Sequence, residues 1–114
     1  MKRTGKLDYL EMPASRGTLD SVKAFYSAAF SWSFTDYGPT YSAFDEGLEG
    51  GFQADSAEAV QKPLPVLYSE SLEETLEAVE AAGGKIVKPI FSFPGGRRFH
   101  FVDPGGNELA VWGE

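Results

Sequence analysis

Two stretches of the chain place apolar residues at the three- and four-residue spacing of an α-helix. In the first, Thr18 suits the N-cap position and Asp20 falls in the first turn, where a negative charge is favourable. The apolar positions that share one face of this helix are Leu19, Val22, Phe25, Tyr26, Ala29 and Phe30. We expect the whole of this face to be buried.

The second helix has start and stop residues of its own. The run Ser71-Leu72-Glu73-Glu74 has the sequence of a capping box, and Gly83-Gly84 ends the pattern. Its apolar stripe consists of Leu72, Leu76, Val79 and Ala82. Helical spacing assigns the acidic residues to a solvated face, which comprises Glu70, Glu73, Glu74, Glu77 and Glu80.

Strand-like segments surround both helices in the same order. One strand precedes each helix, at 6–12 and at 64–69, and Pro13 is expected to end the first ladder. Three short strands follow each helix, at 32–36, 41–46 and 50–54 and then at 85–88, 97–102 and 108–112. The order βαβββ therefore occurs twice, and we expect loops at 47–51 and 89–96.

Turn residues organise the rest of the chain. The sequence Asp103-Pro104-Gly105-Gly106-Asn107 predicts a hairpin of the last two strands, because proline fixes φ and the glycines permit positive φ. Residues 55–63 are polar and end in proline, which indicates a linker. We expect one domain over 1–114, made of a module at 1–56 and a module at 63–114.

Composition excludes several classes of partner. The 114 residues have a net charge of -7, which repels nucleic acid and anionic membranes. There is no cysteine, so disulfides and thiolate chemistry are excluded and a cytoplasmic location is expected. The first ten residues lack the apolar run of a signal peptide, and no stretch is long enough to span a bilayer.

Several segments resemble the vicinal-oxygen-chelate superfamily of glyoxalases, bleomycin-resistance proteins and dioxygenases. They are Phe25-Tyr26, Phe30-Ser31-Trp32, Ala81-Ala82-Gly83-Gly84 and the stretch from Gly95 to Leu109. The opening Tyr9-Leu10-Glu11-Met12-Pro13 is similar to an uncharacterised group related to lactoylglutathione lyase. The resemblance implies an α+β fold, in which two βαβββ modules form a cup-shaped mixed sheet with the helices outside.

The resemblance also implies where a divalent metal would bind. Metal-dependent members carry His, Gln or Glu on the first and last strands of each module. The corresponding positions here are at or near Tyr9, near Phe52, and at Leu64 and Ala110. These side chains do not replace imidazole and carboxylate as ligands. We therefore expect no metal and no other cofactor, with a divalent metal as the alternative.

Strand alternation predicts which side chains line the cup. Phe99 and Phe101 suit the helix-covered side, which leaves Arg98 and His100 on the other. If His100 pairs with Ala110, the same face receives Trp112 and Glu108. The predicted ligand-binding residues are Tyr9, Glu11, Phe52, Leu64, Val66, Tyr68, Arg98, His100, Ala110 and Trp112. This mainly apolar lining with a few polar groups is typical of a small-molecule pocket.

His100 is the single histidine, and it has two interpretations. It is a hydrogen-bonded lining residue or, with Glu11, a catalytic general base. A metal site made of Glu11, His100 and Glu108 would need an arrangement unlike that of the family. Arg98 is either a clamp for a carboxylate or phosphate, or a solvated or interface arginine.

These observations favour a small-molecule-binding protein that is metal-independent and homodimeric. The alternative is an enzyme of the same superfamily, a lyase, isomerase or dioxygenase that uses Glu11 and His100 with or without a metal. A third hypothesis is a scaffold whose cup is filled by side chains.

Overall fold

A computed structural model describes residues 2–57 and 59–114. Residues 1 and 58, the second of which falls in the predicted linker, lie outside the described residues. The chain forms two compact units, an N-terminal unit over Tyr9–Leu64 and a C-terminal unit in which 2–8 join Pro65–Glu114. The α+β class and the repeated βαβββ order are confirmed.

The N-terminal unit contains a sheet with strand order β2-β3-β4-β1. Its elements are β1 (Leu7–Pro13, which begins two residues before the unit), α1 (Leu19–Phe30), β2 (Thr35–Asp36), β3 (Tyr41–Asp45) and β4 (Glu49–Gln53). Strands β1 and β4 are parallel, and β4, β3 and β2 are antiparallel neighbours. The core under α1 buries Leu19, Phe44, Phe52 and Ala54.

The buried part of the α1 surface is narrower than the apolar pattern of the helix predicts. Leu19 is buried and Tyr26 packs against the core, but Phe25 is 57% exposed and Phe30 61% exposed. The expectation that the whole face is buried is therefore wrong. Phe25 and Phe30 instead contact the Tyr26 ring, Phe25 edge to face with ring centroids 5.0 Å apart and Phe30 in a tilted arrangement with ring centroids 6.0 Å apart.

The C-terminal unit repeats this topology with strand order β5-β8-β7-β6. Its elements are β5 (Leu64–Tyr68, whose first residue belongs to the N-terminal unit), α2 (Leu72–Ala81), β6 (Lys85–Phe93), β7 (Gly96–Val102) and β8 (Glu108–Gly113). Strands β5 and β8 are parallel, whereas β8, β7 and β6 are antiparallel. Leu72, Phe99 and Val111 form the buried core beneath α2, and Phe101 packs against it. The predicted helix-covered side of β7 is thus confirmed.

The start of α2 does not use the predicted capping box. Ser71 occupies the N-cap position, but its side chain makes no capping hydrogen bond. The hydroxyl that serves this end belongs to Ser69, which accepts from the Ser71 amide at 3.0 Å and hydrogen-bonds the Thr75 hydroxyl at 2.6 Å. Ala82 is the C-cap and is exposed, so the buried stripe is shorter than predicted. The predicted stop is confirmed at Gly83, where φ is 102°.

Several strand boundaries differ from the predictions, and three of the differences have a clear physical reason. Pro13 continues β1 and pairs with Gln53, because at the end of a strand its missing N–H removes little from the ladder. The strand predicted over 32–36 is reduced to Thr35–Asp36, since Trp32 and Phe34 pack into the core instead. Strand β6 continues to Phe93 through two irregularities in its register, so 89–96 is not a loop.

The hairpin of β7 and β8 forms as predicted, with His100 paired to Ala110. Its turn is held by the Asp103 carboxylate, which accepts the backbone N–H groups of Gly105 and Asn107 at 2.8 and 3.0 Å. These hydrogen bonds and the Asn107 side chain keep the pKa of Asp103 below its ordinary value. Gly106 supplies the positive φ, at 87°.

Candidate functional site

The face of the C-terminal sheet opposite α2 gathers most of the predicted site residues. Strand pairing places Val66 beside Ala110, and Ala110 beside His100. In the next row, Trp112 lies between Tyr68 and Arg98. Paired residues project to the same side of a sheet, so these six side chains share one face. Leu64 is buried two residues before Val66 on β5.

His100 is the centre of this face and is fully buried, with 0% exposure. Its Nδ1 lies 2.8 Å from Oε2 of Glu108, whose side chain is 47% exposed. Because a carboxylate only accepts hydrogen bonds, we assign the ring proton to Nδ1. Nε2 is then an acceptor, and within the described residues it is buried without a hydrogen-bond partner.

The environment of His100 favours its neutral form. Burial lowers the pKa of the imidazole, because the charged ring loses hydration. The hydrogen bond to Glu108 opposes this by raising the pKa, and the positive charges of Arg98 and Lys88 lower it further. The resulting pKa lies below the ordinary value of 6.5. A neutral imidazole with a bare Nε2 is able to accept a hydrogen bond or a proton.

An aromatic cluster surrounds Arg98. The guanidinium carbon lies 5.5 Å from the ring centroid of Phe91 and 5.6 Å from that of Phe93. The Phe91 ring also lies 5.8 Å from the His100 ring, and Trp112 is 6.5 Å from Phe93. Cation–π contacts of this kind hold a guanidinium in place. The neighbouring Arg97 points to the α2 side of the sheet, where its guanidinium forms an ion pair with the Glu73 carboxylate of α2 at 2.6 Å.

Sequence reasoning missed Phe91, Phe93 and Lys88 as site residues. All three belong to β6, and the segment after Lys88 was expected to be a loop because it contains Pro89. The alternation Phe91, Ser92, Phe93 was the available sign of a strand. Lys88 pairs with His100, and its ammonium lies 5.6 Å from the Phe91 ring centroid.

In the N-terminal unit, two of the predicted site residues share one face of β1, and a third lies in the core. Glu11 pairs with Gly51, and Tyr9 precedes it by two residues on the same face of β1. Phe52 does not line this face, because it is 2% exposed and packs under α1 with Phe44 and Tyr26. The error is one residue of strand register, which exchanges the two faces.

Two residues of this face were also missed. Tyr41 on β3 pairs with Gln53 on β4. Their side chains lie on the face of the sheet opposite to the one that carries Phe52. The hydroxyls of Tyr9 and Tyr41 both approach Gly51 so closely that a methyl group there would overlap them. The Gln53 amide oxygen accepts the Asp55 backbone N–H at 3.0 Å. No helix or capping pattern in the sequence indicates that these residues share a face, so only the pairing of the strands shows it.

The residues at the metal positions of the family do not fit a divalent cation. Leu64 and Ala110 have no ligand atom, and Phe52 points into the core. Across 2–57 and 59–114, no three acidic or histidine side chains come together as a metal site would require. His100 and Glu108 are hydrogen-bonded to each other.

Comparison with known proteins agrees with this architecture. Residues 6–111 match the family model of the Glyoxalase/Bleomycin resistance protein/Dioxygenase superfamily. No curated protein matches the sequence. The chain belongs to the Glyoxalase/Bleomycin resistance protein/Dioxygenase superfamily.

Solved structures are similar in fold at low sequence identity. An NAD-dependent benzaldehyde dehydrogenase from Legionella pneumophila has a TM-score of 0.73 at 16% identity, with 91% of this chain and 96% of that chain covered. Methylmalonyl-CoA epimerase from Mycobacterium tuberculosis has a TM-score of 0.69 at 11% identity, covering 99% and 90%. A superfamily member from Vibrio splendidus 12B01 has a TM-score of 0.69 at 12% identity, covering 96% and 100%. These likenesses concern the fold alone.

Neither helix in the described part of the chain is long and apolar enough to cross a membrane.

Proposed function

We propose that this protein binds a small organic carboxylate without a metal, on the face of the C-terminal sheet that carries Arg98 and His100. The observation that carries the proposal is the fixed geometry of two complementary groups. Arg98 is held by two phenyl rings, and the buried Nε2 of His100 has no hydrogen-bond partner in the described chain.

Arg98 supports an anionic ligand. Its guanidinium carbon lies 5.5 and 5.6 Å from the ring centroids of Phe91 and Phe93, and guanidinium groups bind carboxylates well, often through two parallel hydrogen bonds. Lys88, which pairs with His100, adds a second positive charge on β6.

His100 supports a ligand that also donates a hydrogen bond. A buried acceptor without a partner costs about 1 to 3 kcal/mol. Because His100 is fully buried, the proposal requires neighbouring side chains to move before a ligand hydroxyl or N–H reaches Nε2 and recovers this cost. The aromatic rings of Phe91, Phe93 and Trp112 favour a ligand with an aromatic or planar body. A hydroxyl-bearing aromatic carboxylate combines these three features.

The experiment is titration calorimetry with 4-hydroxybenzoate and benzoate, which differ by one hydroxyl. Wild-type protein should bind both and prefer 4-hydroxybenzoate by about tenfold, because only 4-hydroxybenzoate has a hydroxyl that can donate to Nε2. Arg98→Gln should weaken both by at least about tenfold. His100→Phe should remove the preference but keep benzoate binding. Arg16→Gln, which changes an exposed arginine in the N-terminal unit, is the control and should leave both affinities within about twofold.

Equal losses in Arg98→Gln and Arg16→Gln would contradict the proposal, because the effect would then be one of net charge. The proposal would also be contradicted if neither probe bound at millimolar concentrations. The scaffold hypothesis predicts that second result.

An enzymatic role is the second candidate, and the contact between His100 and Glu108 favours it. A histidine whose Nδ1–H is held by a carboxylate is suited to remove a proton with Nε2, because the carboxylate then stabilises the imidazolium. Glu108 is the partner seen within this unit, where the sequence suggested Glu11. Catalysis would require a pH–rate limb below pH 6.5 and loss of turnover in His100→Gln.

Homodimerisation, a cytoplasmic location and a single functional domain over 1–114 are part of the same proposal. The exposed rings of Phe25 and Phe30 support a dimer, because a second chain would remove them from water. Light scattering of wild-type protein should give twice the 12.4 kDa chain mass. A monomer at about 100 μM would contradict dimerisation without affecting the ligand site.

A further inference from the structure

A small cleft in the C-terminal unit has neither Arg98 nor His100 in its lining. Its volume is about 120 Å³. The lining residues are Lys2, Arg3, Lys6, Leu7, Asp8 and Tyr68. Three of the six are basic, in a chain with 10 basic and 17 acidic residues.

The basic side chains are presented by a well-defined turn. The Lys6 amide donates to the Arg3 carbonyl at 3.2 Å, and Gly5 provides a positive φ of 81°. Strand β5 anchors this turn through two backbone hydrogen bonds. The Gly5 amide donates to the Tyr68 carbonyl at 2.8 Å, and the Tyr68 amide donates to the Lys6 carbonyl at 3.1 Å. The cleft is therefore part of the folded unit.

Charge within the cleft is only partly compensated. Both Asp8 carboxylate oxygens interact with the Lys2 ammonium, at 2.9 and 3.1 Å, and one also accepts the Trp112 indole N–H at 2.9 Å. Asp8 and Lys2 thus neutralise each other. Among the residues the structure describes, neither Arg3 nor Lys6 forms an ion pair. Two positive charges are left at the cleft.

We propose that this cleft binds a phosphate group. A doubly charged phosphate matches the charges of Arg3 and Lys6, whereas one carboxylate would be balanced by Arg3 alone. The volume of about 120 Å³ is large enough for a group with four oxygen atoms. Exposed Leu7 and the Tyr68 ring form an apolar wall on which the organic part of a phosphomonoester would lie.

The test is an amide-resolved NMR titration of the tag-free chain at constant ionic strength and about pH 8, where phosphate carries two charges. Inorganic phosphate and phenyl phosphate are the probes. Saturable shifts of the Gly5, Lys6 and Tyr68 amides with a Kd of about 1 to 10 mM or tighter are expected. If both probes saturate with similar Kd, the phosphate group suffices. If phenyl phosphate binds at least about tenfold more tightly, the ligand is a phosphomonoester that uses Leu7 and Tyr68.

Matched double variants decide whether the cleft is responsible. Arg3→Gln with Lys6→Gln should weaken phosphate binding at least about tenfold. Arg16→Gln with Lys85→Gln removes the same charge from exposed positions outside the cleft and should change Kd less than about twofold. Equal effects of the two pairs, or no saturation by either probe, would overturn the proposal. Arg98→Gln should leave the Kd for phosphate within about twofold, because Arg98 does not line the cleft, so failure here is distinguishable from failure of the carboxylate site.

Discussion

Acidification should destabilise this protein through His100, the single histidine of the chain. Burial is the main cause that lowers its pKa below 6.5 in the folded state. In the unfolded chain the imidazole titrates near its ordinary value of about 6.5. As the pH falls below 6.5, the unfolded state therefore binds the proton first. The stability contributed by the neutral ring is complete above pH 6.5 and is lost as the pH falls toward the folded pKa.

The size of the effect follows from one proton. Between the folded and unfolded pKa values, the free energy of unfolding should fall by at most about 1.4 kcal/mol per pH unit. Carboxyl groups titrate mainly below about pH 5, so their contribution is separated from this window. Glu108→Gln should lower the pKa of His100 further, because the charged acceptor raises it in the wild type.

The assay combines urea unfolding between about pH 7.5 and 5 with NMR titration of the one histidine ring. His100→Gln is the control and should give nearly constant stability across this window. The reasoning would be refuted by a wild-type pKa at or above 6.5, or by equal pH dependence in His100→Gln. Nitrogen shifts that place the neutral ring proton on Nε2 would refute the assigned tautomer.

Three further changes test the packing by urea unfolding. Phe52→Ala should destabilise the fold by about 3 to 5 kcal/mol, whereas Phe30→Ala should cost less than about 1 kcal/mol because its ring is already 61% exposed; equal effects would contradict the corrected burial of α1. Gly50→Ala should cost at least about 1 to 3 kcal/mol, because a methyl group there meets a backbone oxygen and the Phe44 ring; an unchanged midpoint would show that β1 and β4 are farther apart. Ser69→Ala should cost about 1 to 2 kcal/mol by removing the acceptor at the start of α2, and no loss would restore Ser71 as the cap.

Local chemistry accounts for the features that were predicted correctly. The end of α2 depends on Gly83, and the last hairpin depends on Asp103 and Gly106, each of which acts within a few residues. The alternation of Arg98, Phe99 and His100 is also local, and it assigned both faces of β7 correctly. Such patterns are readable because the interactions that they encode are short in sequence.

Long-range packing explains the errors. Phe52 follows Gly50 and Gly51, so nothing in its own segment shows which side of β4 is covered by α1. Strand β6 contains Pro89, and only its pairing with β7 carries it on to Phe93. For the same reason the contacts of Phe91 with Arg98 and His100 could not be read from the sequence.

The central claim is that ligand recognition uses Arg98 and His100 and requires no metal. The most direct test is calorimetric titration of 4-hydroxybenzoate into chelator-treated protein, repeated after addition of manganese, iron(II), nickel or zinc, with elemental analysis of both samples. We predict binding by the metal-free protein, unchanged within about twofold by any metal and weakened at least about tenfold by Arg98→Gln. Binding that appears only with a stoichiometric metal, and that is lost in His100→Gln, would contradict the claim.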